Sequence, residues 1–124
     1  MKNLFSLLLG LPLLLGSCSK SAECGFADSN ASASAGEITY IQDYLTANSL
    51  TATQHSSGIF YKVDDPGTGN TASICSNITV NHTGTLLSTA VVFDSNNSGA
   101  GISFVLGQVI VGWQKGLSLI KAVA

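Results

Sequence analysis

The run SNITVNHTGTLLSTAVVFDSNNSGAGISFVLGQVIVGWQKGLSLIK, residues 76–121, decides the fold. Its opening residues alternate. Ile78, Val80 and His82 share one face, and Thr79, Asn81 and Thr83 the other, as in a strand from about Ser76 to Gly84 with one half-buried side. A second short strand is expected at Val91–Asp94, followed by the loop Asn96-Asn97-Ser98-Gly99. A third strand places Ile102, Phe104 and Leu106 together, and Gly107 breaks it. From Gly112 to Lys121 the period changes. Trp113, Leu117 and Ile120 stand at i, i+4 and i+7, which predicts a short helix. Its two glycines each cost about 1 kcal/mol relative to alanine. Packing must therefore hold it, with a backbone or sheet close to Gly112 and Gly116.

Working upstream, Ile59, Tyr61 and Val63 alternate with Phe60 and Lys62, and Asp65-Pro66-Gly67 ends that strand in a turn. Before it, Ile38, Ile41 and Leu45 recur at helical spacing beside Tyr40 and Tyr44. This predicts an amphipathic helix over Glu37–Ala47, with Asn48 as its left-handed stop. His55, in the Thr/Ser-rich link that follows, receives no role. Residues 19–36 are small and polar without an apolar period, and read as a flexible tether.

The N-terminus reads as an address. Lys2 precedes an apolar run from Leu4 to Leu15, and about twelve residues at ~1.5 Å each cannot cross a hydrocarbon core roughly 30 Å thick. The run has the length of a signal-peptide core. It ends in Leu15-Gly16-Ser17-Cys18, which resembles a bacterial lipobox. The resemblance implies cleavage before Cys18 and acylation of its thiol and new amine, so that several acyl chains anchor the protein to a membrane. An ordinary secretory signal with an incidental Cys18 is the other reading. Ser19 after the cysteine leans towards the outer membrane by the same resemblance. Export takes Cys24 and Cys75 out of the reducing cytosol. A bridge between them, which we expect over two free thiols, would close a loop of about fifty residues and stabilise by up to ~4 kcal/mol.

Composition narrows the partners. The chain has 124 residues, with five Lys+Arg against seven Asp+Glu and only 10% charged residues. The length suits one domain. The absence of any basic run argues against nucleic acid as a partner. Two thiols and two dispersed histidines offer no metal site, and nothing points to a cofactor. The expected organisation is a signal peptide over 1–17, a lipidated cysteine and tether over 18–36, a helix over 37–50 and an α+β domain over 51–124.

Four pieces in order carry a family resemblance: Val80-Asn81-His82-Thr83-Gly84, Phe93-Asp94-Ser95, Phe104-Val105-Leu106-Gly107, and Val109-Ile110-Val111-Gly112-Trp113-Gln114-Lys115-Gly116-Leu117. Together with Gly58-Ile59-Phe60-Tyr61 and Pro66-Gly67-Thr68-Gly69, they resemble the first half of an FKBP-type peptidyl-prolyl cis-trans isomerase. More loosely, the preceding helix is similar to the N-terminal extension of lipoprotein isomerases from Bacteroidetes-like bacteria. The resemblance implies an α+β fold, with an FKBP-like antiparallel sheet packed on a short helix. The family's pattern continues beyond the Trp-containing helix with a Gly turn, an Ile-Pro strand, a Tyr-containing flap and a closing strand. The present sequence stops at Ala122-Val123-Ala124, so the implied domain is incomplete at its C-terminus.

The chemistry implied is non-covalent. Resonance sets a barrier of ~18–20 kcal/mol to turning a peptide bond, and at X-Pro the uncatalysed step takes tens to hundreds of seconds. An apolar aromatic bowl can lower the barrier by dehydrating the bond and favouring the twisted state. By the resemblance, Trp113 forms the floor under the proline ring, Val109 and Ile110 line the wall, and the Ile110 N–H bonds a substrate carbonyl. Phe93 and Phe104 supply aromatic wall, and Asp94 a polar rim. His82 stands where the family usually has Tyr, and Ile102 where it often has another aromatic, which implies an altered pocket. The expected partners are proline-containing polypeptides in the periplasm or at the cell surface. The competing expectation is an inactive FKBP-like lipoprotein that serves only as a binding module.

Overall fold

A computed structural model describes residues 24–123. The expected signal peptide and lipidated Cys18 lie outside the described residues. Two helices and six short strands follow in the order α1 (Ala35–Ala47), β1 (Thr53–Gln54), β2 (Phe60–Tyr61), β3 (Asn77–Val80), β4 (His82–Thr85), β5 (Val92–Asn96), β6 (Ile102–Val105), a 3-10 turn (Leu106–Gln108) and α2 (Val111–Leu117).

Helix α1 starts two residues before the expected Glu37 because Ser34 caps it. The Ser34 backbone N–H and hydroxyl each donate to Glu37 Oε2 at 2.8 Å. In return the Glu37 N–H donates to Ser34 Oγ at 3.3 Å. These reciprocal bonds satisfy donors that a helix start leaves orphaned. At the other end Asn48 is not the left-handed residue expected. Its φ is −102°, and its amide instead donates to Tyr44 O at 2.8 Å. The left-handed position falls on Ser49, with φ 53°.

The sheet is three two-stranded antiparallel ladders, β1–β2, β3–β6 and β4–β5. Only Phe60 and Tyr61 of the expected 59–63 strand are paired, against Gln54 and Thr53. The long strand expected from Ser76 to Gly84 is divided at Asn81. Ile78 faces Phe104 across β3–β6, whereas Thr83 faces Ser95 across β4–β5. The two-residue alternation nonetheless runs through the switch: Ile78, Val80, His82 and Gly84 are all half-buried, with exposed residues between them.

Leu106 is the one fully buried hydrophobic residue among those described. It opens the 3-10 turn instead of continuing the strand that its spacing to Phe104 predicts. The Leu106 N–H donates to Ser76 O at 2.9 Å and the Gly107 N–H to Ile74 O at 2.7 Å. Helix α2 stops at Leu117, short of the expected Lys121, and the Ser118 hydroxyl that follows donates to Lys115 O at 2.8 Å. The chain then turns to meet residues 69–71. Ala122 O accepts from Gly69 N–H at 2.8 Å, and Ala122 N–H donates to Asn70 O at 3.1 Å. The close packing expected at the α2 glycines is absent. A Cβ at Gly112 would meet nothing within 4 Å, and one at Gly116 only Ile59 Cδ1 at 3.9 Å. Nothing in the structure explains glycine at 112.

The tether expected through residue 36 is, from Cys24 onward, fastened to the domain. A disulfide joins Cys24 to Cys75, Cα atoms 5.7 Å apart. Phe26 packs on Gly107 so closely that any Cβ there would overlap the ring. Lys115 Nζ donates to Ser29 O at 2.6 Å, and Ala33 N–H to Ser57 O at 2.8 Å. Small polar residues signal a tether only when nothing claims their backbone groups.

Candidate functional site

Trp113 enters the site from the first turn of α2. The helix begins without a side-chain cap at Ile110, which is extended (φ −59°, ψ 149°). Trp113 and Gln114 donate their N–H groups to Ile110 O at 3.0 and 3.1 Å. Gln114 then folds back, its Nε2 donating to Val109 O at 2.7 Å. The loop before the helix is thereby stapled to the helix itself.

Two rings meet the indole. His82 lies edge-on, with centroids 5.0 Å apart and planes at 84°. Phe104 lies tilted, with centroids 5.6 Å apart and planes at 40°. Both spacings fall in the range where aromatic pairs gain beyond their buried area. His82 arrives from β4 and Phe104 from β6, so the cluster spans two ladders and α2.

His82 Nε2 lies 3.0 Å from Asp94 Oδ2. Asn96 faces His82 across the ladder and Gly84 faces Asp94, so His82 and Asp94 are diagonal neighbours, within reach of long side chains. An ionised carboxylate only accepts, so Nε2 carries the proton in this pair. The other ring nitrogen, Nδ1, is buried with no partner among the described residues. The pair straddles the surface: the His82 side chain is 14% exposed and that of Asp94 67%.

The remaining expected residues divide. Val109 is half-buried. Ile110 is 68% exposed, and no described group accepts its backbone N–H. Phe93 is not part of the aromatic cluster. It is 63% exposed, and its ring lies over Gly84, where an added Cβ would sit 2.7 Å from Cζ. The physical reason is local. Gly84 offers a bare backbone, and the ladder shifts register between Gly84 and Thr85. Ile102 is 42% exposed. A separate hollow of about 330 Å³, lined in part by Val80, Leu117 and Ile120, includes none of the expected site residues.

Sequence reasoning missed Phe26, which touches the turn just before Val109. The signal was available. A bridge from Cys24 to Cys75 cannot coexist with a free tether two residues further on.

Residues 69–122 match the family model described as FKBP-type peptidyl-prolyl cis-trans isomerase. The α+β arrangement of small antiparallel ladders and helices is FKBP-like. The chain is similar to the "Probable FKBP-type peptidyl-prolyl cis-trans isomerase" of Haemophilus influenzae, 38% identical over 65 residues, 52% of this chain and 27% of that protein. It is similar to the "Outer membrane protein MIP" of Legionella longbeachae, 38% identical over 66 residues, 53% of this chain and 28% of that protein. It is also similar to the "Probable FKBP-type peptidyl-prolyl cis-trans isomerase FkpA" of Neisseria meningitidis serogroup B, 32% identical over 103 residues, 82% of this chain and 36% of that protein. The chain thus spans from about a quarter to just over a third of these relatives' lengths.

Proposed function

We propose that the FKBP-type segment binds X-Pro peptide bonds over Trp113 and catalyses their cis-trans isomerisation. The observation that carries this reading is the indole of Trp113 in contact with both Phe104 and His82, one helical turn from an Ile110 N–H that no described group accepts. An indole face takes a proline ring without polar competition. An N–H donor beside it fixes a carbonyl of the same chain, and the proline ring displaces water from the indole face that it covers. As that bond twists, its nitrogen loses conjugation and the dry, apolar floor favours it over the planar ground state. Val109 and Ile110 supply the adjoining wall, and Asp94, steadied by His82, supplies the rim. No nucleophile is needed. Phe93 would join only by leaving Gly84.

The name of one relative, "Outer membrane protein MIP", supports a place in the cell envelope. With the lipobox-like Leu15–Cys18, this leads us to a lipid anchor on Cys18, in the outer membrane, and to exported proteins as folding clients. A radiolabelled fatty acid should label the full chain and not its Cys18→Ser variant.

The activity is tested by following isomerisation of a proline tetrapeptide with the full chain in detergent solution. A rate above background that Trp113→Ala abolishes supports the reading. No rate above background overturns it and leaves an interaction module.

A further inference from the structure

Cys75 is flanked by the two residues whose carbonyls carry the turn that feeds the site. Ile74 O accepts from Gly107 N–H at 2.7 Å and Ser76 O from Leu106 N–H at 2.9 Å. The bridge fixes Cys24 to this strut, and two residues on, the Phe26 ring covers Gly107 from outside. Beyond the turn, Gln114 reaches back to Val109 O, tying it to the start of α2. The path from bridge to ring to turn to Ile110 and Trp113 is contiguous. Phe26 itself is 39% exposed, so burial alone holds the ring weakly. Apart from the bridge, its segment is tied by the Lys115–Ser29 and Ala33–Ser57 hydrogen bonds.

We infer that Phe26 is a positioning residue for the Trp113 site, locked in place by the Cys24–Cys75 bridge, so that thiol–disulfide exchange at the bridge sets how well the site is formed. The catalytic consequence rests on the isomerase reading above; the positioning does not. Cys75 is exposed and Cys24 half-buried. A dithiol reductant therefore attacks Cys75 Sγ, forming a mixed disulfide and expelling Cys24 as a thiolate that takes up a proton. The second thiol of the reductant then displaces Cys75. Two protein thiols and one oxidised reductant result. With the bridge open, nothing covalent keeps Phe26 over Gly107, and the turn loses its outer wall.

The test uses the full chain in detergent solution, oxidised or treated with dithiothreitol, with Trp113 as the chain's one tryptophan. Reduction is expected to shift Trp113 emission and to speed amide exchange at Gly107 roughly tenfold, with the β4–β5 amides unchanged. Phe26→Ala with the bridge intact should reproduce both effects, and reduction of that variant should add little. Phe26→Leu should restore most of the protection. If the chain is active, KM for the proline peptide should rise more than kcat falls. Unchanged emission and Gly107 exchange on reduction overturn the lock, as does loss of protection throughout the domain. Unchanged exchange in Phe26→Ala overturns the positioning. A chain inactive in both redox states that still shows the Gly107 and Trp113 responses overturns the isomerase reading while supporting the positioning.

Discussion

The imidazole of His82 meets the indole of Trp113 edge-on, 5.0 Å between centroids and 84° between planes. That single contact joins the β4–β5 ladder to α2. Nδ1 of the same ring is buried without a partner among the described residues, a cost that the ring's other bond must offset.

Replacing His82 by Phe tests the balance. The variant keeps an aromatic edge against Trp113 and removes an unpaired buried nitrogen, worth roughly 1–3 kcal/mol. It gives up a bond to an Asp94 that is 67% exposed, worth at most about 1 kcal/mol. The expected result is stability unchanged or raised by about 1 kcal/mol in urea unfolding. A loss above about 2 kcal/mol would show that the imidazole nitrogens are better satisfied than the geometry implies.

Leu106 is expected to dominate the energetics of packing. It is wholly buried, so Leu106→Ala should cost about 2–5 kcal/mol. Ile102, 42% exposed, should cost under about 1 kcal/mol on the same change. Urea midpoints of the two variants check the ordering.

Gly107 and Phe26 should be strongly coupled. Gly107→Ala alone drives a Cβ into the Phe26 ring and is expected to cost about 1–3 kcal/mol. In a Phe26→Ala background the same change should be near neutral or slightly stabilising, since alanine restricts the unfolded chain. Additive unfolding free energies in this double-mutant cycle would show that the two residues do not meet.

The start of α1 carries a pH signature. The backbone N–H of Ser34, and then its hydroxyl, hold the Glu37 carboxyl below its usual value. A carboxyl lowered in the folded state stabilises above its ordinary range, and that contribution fades as pH falls through the folded value. The 222 nm circular dichroism of the wild type should therefore weaken in acid through a step that Glu37→Gln lacks. Identical acid titrations would sink the assignment.

Much of this was written in local pattern. The alternation through 78–84 could be read because one side of that stretch is half-buried and the other wet, whatever strand pairs with it. The same pattern was silent about the change of partner at Asn81, because pairing is decided by distant residues. Helix α1 could be placed by its apolar spacing, while its true start depends on a side chain, Ser34, lying outside the spacing. The run Phe93-Asp94-Ser95 gives order along the chain and not the bare Gly84 over which the Phe93 ring lies. Phe26 was hidden for the opposite reason. No period surrounds it, and the cysteine two residues away is the one feature of the sequence near it that reports where it packs.

The division of the long strand at Asn81 makes parity a property of the whole site. The one residue between β3 and β4 keeps Ile78, Val80, His82 and Gly84 in phase while their partners change. Adding or deleting a residue there would exchange inside for outside along everything that follows. His82 would swing to the solvent, and after a deletion Thr83 would take its seat beside the indole. Asn81 itself is exposed, so the count of residues at this point constrains the site more than the side chain there.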